Sequence, residues 1–335
     1  MKFGLNRLDL RGPVEFAESA RRAEAAGWSL GVIPCSPLLA SDPYVNLAFA
    51  AQATETLELG TLLDTPILRH PSVLAGSIAT VAGLAPGRVQ LGIGVGDTAV
   101  RLNGLAPAKV ATLEAACRKI RALLAGEGVE VGAARPAVLR HARPVPLWVA
   151  AQGPRTLRMA GAVADGVWIR LGRHPDNLRM AWDAVAAGAR DAGRDPAEVR
   201  LGLIFHTAYE TDPARALLLA KSLAAGYYEY SPFLFDRPGI AWEGEDVHEL
   251  RKQAWPDFHH HRDLVHAGTL VDFLPRAAAD AFALYGDWEQ IADQLREVLD
   301  LGLPVEYVIP HPVMAPDRQL DYIADAGREL VRRFA

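Results

Sequence analysis

Cysteine is scarce in this chain, with only Cys35 and Cys117 in 335 residues. Two cysteines cannot build a disulfide framework, and they lack metal-ligand spacing, so no metal site is expected. Positive charge is also short: 35 basic residues face 40 acidic ones, for a formal net charge of −5. A protein that binds nucleic acid by neutralising phosphates needs a basic face, so that class is set aside. No run approaches the roughly 18 apolar residues of a membrane span. The opening segment MKFGLNRLDLRGP has no apolar stretch of the length a secretory signal needs. A soluble cytoplasmic protein with neither nucleic-acid nor membrane partners is expected. Tandem repeats and low-complexity tracts are missing as well.

What is present is alternation. Half of the residues are hydrophobic, and they fall into short β-rich runs separated by amphipathic helical stretches. Such alternation implies βα units around a parallel sheet. Strands are expected at Lys2–Leu5, Leu30–Ile33, Leu57–Leu63, Val89–Ile93, Pro146–Ala150, Gly166–Arg170, Arg200–Thr207 and Val305–Ile309. Helices are expected at Val14–Ala26, from Asp42 as N-cap with Pro43 behind it, and at Pro71–Val81, Ala108–Ala125, Pro154–Val163, Pro175–Asp191, Pro213–Ala225, Trp288–Leu301 and Gln319–Arg333. Eight strands with mostly short connections favour a closed α/β barrel, the (β/α)8 or TIM barrel, as a single domain over residues 1–335. The alternation breaks at residues 226–268, which hold Tyr227, Tyr228, Tyr230, Phe233, Phe235, Trp242 and Trp255. This segment reads as an insertion before the last helix–strand unit. Its aromatics suit either a wall over a substrate pocket or a segment docked for structural reasons alone.

In such barrels the chemistry gathers at the carboxyl ends of the strands. Two of those ends are glycine-rich and run into helices: Gly94-Val95-Gly96-Asp97 and Ala151-Gln152-Gly153-Pro154. Backbone N–H groups freed of side chains, aimed from a helix N-terminus, suit an anion such as phosphate. Asp97 serves either as an acid at a partly closed mouth or as the N-cap of the next segment. His206, Tyr209 and His311 also lie at or just past strand ends, each a proton donor or a hydrogen-bonded packing residue. Successive residues diverge on any regular element, so His259, His260 and His261 do not suit shared metal ligation and read as a solvated loop.

Three segments go beyond a generic barrel: Leu59-Gly60-Thr61 through Arg69-His70-Pro71, Gly87 through Asp97, and Pro146 through Pro154 with Ala164-Asp165-Gly166-Val167. Together they resemble the luciferase-like monooxygenase family, in its coenzyme F420-dependent oxidoreductase branch, similar to methylenetetrahydromethanopterin reductase. Ala283-Leu284-Tyr285-Gly286-Asp287 is similar to the family's segment before the last helix and strand. The resemblance implies a flavin-type site. Its phosphate would lie at Ala150, Ala151, Gln152, Gly153 and Pro154. A non-prolyl cis peptide between Leu62 and Leu63, followed by Asp64, would lie under the ring, and Gly94, Gly96 and Asp97 would wall the ring side. Gly161 and Asp165-Gly166 match the same motif, though small residues there read first as packing. Members often carry an Asp-His pair where this chain has Cys35-Ser36. The proton donor then falls to Asp97, His206, Tyr209 or His311.

The implied function is an F420H2-dependent reductase passing a hydride between the deazaflavin and an activated C=C or C=N bond. Its substrate would be a small molecule or natural product, a dehydroamino acid or other peptide-derived compound included, and the family suggests a homodimer. The alternatives are an FMN-dependent luciferase-like monooxygenase and a non-catalytic flavin-binding relative.

Overall fold

The structure is a computed structural model, and it describes residues 1–6, 12–313 and 318–334. The chain divides into two compact units. One comprises residues 2–169 and 183–202, the other residue 1 with residues 170–182 and 203–335.

The first unit is built from βα repeats. Its strands are β1 (Lys2–Asn6), β2 (Leu30–Ile33), β3 (Glu58–Thr61), β4 (Val89–Ile93), β5 (Leu147–Ala150) and β6 (Gly166–Ile169). Each pairs in parallel with the next, in registers such as Gly4 with Leu30, Val32 with Gly60, Leu91 with Leu147 and Val149 with Val167. Strands covered on both faces need no polar side, and β2, β4 and β6 are buried at every position. The helices follow the proline and cap signals. Pro13–Ala25, Pro43–Ala53, Pro71–Leu84 and Pro154–Val163 all begin on proline, whose missing N–H costs nothing at a first helical position. Asp42 is the N-cap of Pro43–Ala53, accepting from the N–H groups of Tyr44 at 2.9 Å and Val45 at 3.2 Å. A five-residue helix, Thr98–Leu102, precedes the expected one, which spans Val110–Leu124.

Close packing explains the small residues near β6. A Cβ on Gly166 would sit 2.5 Å from the Trp148 ring, and one on Gly161 would sit 2.0 Å from the carbonyl oxygen of Val185. Asp165 accepts from the Leu147 N–H at 2.8 Å and pairs with Arg121 at 2.8 Å, tying helix to strand. The packing reading of Gly161 and Asp165-Gly166 therefore suffices.

In the second unit, β7 (Arg200–Tyr209) lies between β8 (Ala283–Gly286) and β9 (Val305–Pro312). It is parallel to β8, with His206 opposite Ala283 and Tyr209 opposite Gly286. Strand β8 is missing from the sequence reading, because four residues next to a glycine turn give no alternation long enough to register. The helix after β7 runs over Pro213–Tyr230, five residues beyond the expected end, since nothing in Gly226–Tyr230 stops it. Beyond it lie short helices at Val247–Arg251, Leu264–Leu270 and Arg276–Phe282. The helix Trp288–Leu299 opens with a capping box in which Asp287 and Gln290 bond each other's backbone N–H.

Candidate active site

In the first unit the carboxyl end of β3 is held from both sides. The Leu62 N–H donates to Ile33 O at 2.8 Å, Asp64 N–H to Gly92 O at 2.9 Å and Gly94 N–H to Asp64 O at 2.9 Å. Thr61 Oγ1 adds two bonds to the Gly92 backbone, donating at 2.7 Å and accepting at 3.0 Å. The peptide bond between Leu62 and Leu63 is cis. The Leu63 side chain lies against Gly94, where a Cβ would come within 3.0 Å of it, and Ala150 Cβ is 3.6 Å from the same point. Three of the nominated residues, one from each of three strand ends, thus meet in one apolar contact. Gly96 has φ +79°, and a Cβ there would fall 2.4 Å from Val100, so the turn admits only glycine.

Asp97 takes the N-cap position of Thr98–Leu102 without a capping hydrogen bond. Its carboxylate is more than half exposed and pairs with Arg101. Gly153 is the N-cap of Pro154–Val163, again with no side-chain cap, and nothing lies within 4 Å of where its Cβ would be. An uncapped helix start with open space before it, followed by Arg155 and Thr156, has the donor chemistry for a phosphate. The side chains of Leu63 and Ala150 beside Gly94 have the apolar chemistry to back an aromatic ring system. The residues present fit a flavin-type cofactor.

A cluster that sequence reasoning did not assemble lies beside the cis bond. Asp64 is 1% exposed. Its Oδ1 accepts from the Thr65 N–H at 2.7 Å and its Oδ2 from the Tyr44 hydroxyl at 2.9 Å. Arg69 Nε stands 3.6 Å from Oδ2 while its Nη2 donates to Asp42 Oδ2 at 2.5 Å, with the guanidinium over the Tyr44 ring. The Cys35 thiol also bonds to Asp64. Burial raises the Asp64 carboxyl from its ordinary value, and the hydrogen bonds from Thr65 and Tyr44 and the charge of Arg69 offset this only in part. Burial, then the nearby Asp64, pushes both Cys35 and Tyr44 well above their ordinary values. Asp64 was nominated only as a cofactor contact. Its link to Tyr44, twenty residues away, leaves no local pattern in the sequence.

The second unit holds the nominated histidines. His206 on β7 is 4% exposed, its Nδ1 without a hydrogen-bond partner among the described residues. Its ring is 4.3 Å from that of His259, 5.6 Å from Tyr227 and 5.8 Å from His311, centre to centre. Tyr209 lies apart from this group, 39% exposed and stacked on Trp288 at 4.5 Å. The solvated-loop reading of 259–261 needs correction at His259, which is buried. The Asp257 side chain accepts from the N–H groups of His259 and His260 at 2.8 and 2.9 Å, and this turn sends one ring inward while His260 stays outside. His259 Nε2 then donates to Leu223 O at 2.9 Å. Burial, helped by the charge of Arg170, depresses His259 to about 3. Burial, then His259 and Arg170, takes His206 well below its ordinary value. Both rings are neutral bases in a wall completed by Tyr227, Phe282 and Phe235, the last two stacked at 4.6 Å. Among the described residues, no three His, Cys, Asp or Glu side chains are grouped to hold a metal, and no helix is long and apolar enough to cross a membrane.

Likeness to known proteins runs along the whole chain. The family model for luciferase-like monooxygenases matches residues 6–304. The 5,10-methylenetetrahydromethanopterin reductase of Methanolobus tindarius is 29% identical over 343 residues, covering 99% of this chain and 100% of that protein. The F420-dependent glucose-6-phosphate dehydrogenase of Nocardia farcinica is 35% identical over 281 residues, 77% of this chain and 74% of that one. Among solved structures, the coenzyme F420-dependent tetrahydromethanopterin reductase of Methanopyrus kandleri superposes with a TM-score of 0.77 at 24% identity, covering 100% of this chain and 99% of that one. The fold class is accordingly the expected TIM-like α/β barrel of eight parallel strands, with β8 as an extra strand near the C-terminal end. The chain is an oxidoreductase of the luciferase-like monooxygenase family, in its F420-dependent branch.

Proposed function

We propose that this protein is a coenzyme F420-dependent reductase that transfers a hydride between the deazaflavin and an activated C=C or C=N bond of a small molecule. The observation that carries this reading is the end-to-end likeness to 5,10-methylenetetrahydromethanopterin reductase, together with the cis Leu62–Leu63 bond backed by Gly94 and Ala150. When bound, the deazaflavin supplies the hydride, and the protein's contribution is orientation, a phosphate anchor and a proton.

In this reading the open helix start at Gly153–Pro154, preceded by Ala151 and Gln152, holds the phosphate. Leu62, Leu63 and Gly94 support the ring, and Gly96 and Asp97 shape its edge. The neutral, buried His206 can donate or accept one hydrogen bond without bringing charge, which suits a carbonyl or imine. His311 and Tyr209 are further candidates for contact with substrate. A natural-product or peptide-derived substrate and a homodimer belong to the same reading, the latter checked by light scattering of the purified chain.

Titration of the purified protein with F420 and, separately, with FMN, followed by fluorescence, tests the reading. Saturable F420 binding with turnover on a panel of unsaturated ketones and cyclic imines is the expected result. Binding of FMN alone would transfer the protein to the monooxygenases, and F420 binding without turnover would point to a non-catalytic relative.

A further inference from the structure

A groove of about 440 Å³ opens between the helices Pro71–Leu84 and Val110–Leu124. Its size falls within the range of about 300–1,000 Å³ of small-ligand sites. Pro66 and Pro71 line one side and Ala111 and Ala115 the other, with Thr112 and Lys119 on the same helix. Residues 112, 115 and 119 share one helix face, and the exposed positions Ala111, Thr112 and Ala115 carry only short side chains, which leaves the trough open. The groove begins at the turn assigned to the edge of the ring. A Cβ on Gly96 would come 3.0 Å from Thr65 Oγ1, and Pro66 is the next residue. From the other side the Ala108 N–H donates to Val95 O at 2.8 Å, fixing the helix start beside the same turn. Between Ala111 and Lys119 the helix then runs about 12 Å, at about 1.5 Å per residue.

Charge decides what such a groove can hold. Its lining has no carboxylate, in a chain whose net charge is −5. The half-buried Lys119 side chain has no partner among the described residues, whereas Arg118 and Arg121 beside it pair with Glu114 and Asp165. His70 also lines the groove, and its Nδ1 is engaged by Ser72 at 2.8 Å, which leaves Nε2 for a ligand. Two further cations without side-chain partners among the described residues are Lys109, the N-cap of Val110–Leu124, and Arg155, in the first turn of Pro154–Val163. Neither helix has an acidic residue in its first turn, although a helix start favours one.

We propose that this groove binds the acidic tail of the deazaflavin, with Lys119 and His70 meeting its carboxylates. The inference rests on the deazaflavin reading given above. FMN ends at its phosphate, whereas coenzyme F420 continues through lactate into a chain of glutamates. Such a tail needs an apolar trough for its methylenes and unpaired cations for its carboxylates, and the groove has both. Helix Val110–Leu124 packs against the phosphate-anchor helix on one side and against Pro71–Leu84, across the groove, on the other. The protein then selects the deazaflavin by its tail, since an apolar ring support suits either ring system.

Fluorescence titration of the purified protein at low salt tests this with three ligands: F420 with several glutamates, F420 with one, and the tail-less 5′-phosphate of the same deazariboflavin. The wild type should bind the longest form about tenfold more tightly than the tail-less one, and the preference should fade as salt rises. Lys119→Glu should remove most of that preference and leave affinity for the tail-less phosphate unchanged. Thr112→Lys adds a cation on the same helix face and should enlarge the preference about threefold, a gain that a misfolded protein cannot show. Equal tail preference in wild type and Lys119→Glu overturns the proposal, as does a wild type that binds all three ligands equally. A Lys119→Glu protein with its tail preference intact but its oligomeric state changed in light scattering gives the groove to a second copy of the chain instead. A wild type that binds none of the three overturns the deazaflavin reading, and the groove assignment with it.

Discussion

Asp64 in the first unit and the His206–His259 pair in the second meet the same physical demand with opposite chemistry. Burial penalises charge. Burial favours the protonated form of an acid and the unprotonated form of a base, so it raises Asp64 and lowers both histidines. The surroundings differ accordingly. Asp64 has a full set of polar partners in Thr65, Tyr44, Cys35 and Arg69. The histidines sit against rings, and His206 Nδ1 has no hydrogen-bond partner among the described residues. The lesson is that burial moves an acid up and a base down, and the polar partners each group keeps decide how far the shift goes.

The contrast can be broken most severely at the aromatic wall. Phe282 is fully buried and stacked on both Tyr227 and Phe235. Phe282→Ala should cost about 3–5 kcal/mol in urea unfolding, through lost burial and the cavity left behind.

The next effect is pH-dependent and opposite in sign in the two regions. Unfolding frees His206 and His259 to bind protons near pH 6.5, which they refuse when folded. Their stabilising contribution is complete above that value and is lost as pH falls toward about 3 for His259. Each such histidine adds a slope of about 1.4 kcal/mol per pH unit over its window. Unfolding measured from pH 7 to pH 4 should show that slope reduced by one histidine's share in His259→Gln.

At Asp64 the sign reverses. Its folded value is raised, so its contribution is complete below the ordinary carboxylate value and is lost as pH rises through the folded one. The thermal midpoint of Asp64→Asn should therefore gain on the wild type as pH increases. A gap that widened toward acid instead would show the carboxylate to be the favoured form.

The smallest effect is expected at Asp97. Asp97→Asn removes an exposed pair with Arg101 and should change stability by less than about 0.5 kcal/mol.

These regions also differ in how far the sequence discloses them. The βα repeats of the first unit are punctuated by proline, glycine and Asp42, and β2 and β4 begin and end where the hydrophobic runs do. Strand β8 is too short for its own periodicity to show, and its place is set by pairing with β7. The Leu62–Leu63 bond came from family resemblance, because nothing in the two leucines themselves distinguishes cis from trans. The Asp64–Tyr44 link and the inward turn of His259 depend on partners 20 and 36 residues away. Side chains that meet only through the fold leave no spacing to read.

Asp42 shows how finely such a cluster is divided. Its Oδ1 serves the helix, accepting from Tyr44 and Val45, while its Oδ2 serves Arg69. One carboxylate therefore sets where Tyr44 begins its helix and where the neighbouring positive charge rests. In Asp42→Asn, the amide oxygen can keep the cap while the nitrogen faces Arg69. A single-atom change would then leave Tyr44 in place and free the guanidinium, separating alignment from electrostatics at the two sides of one residue.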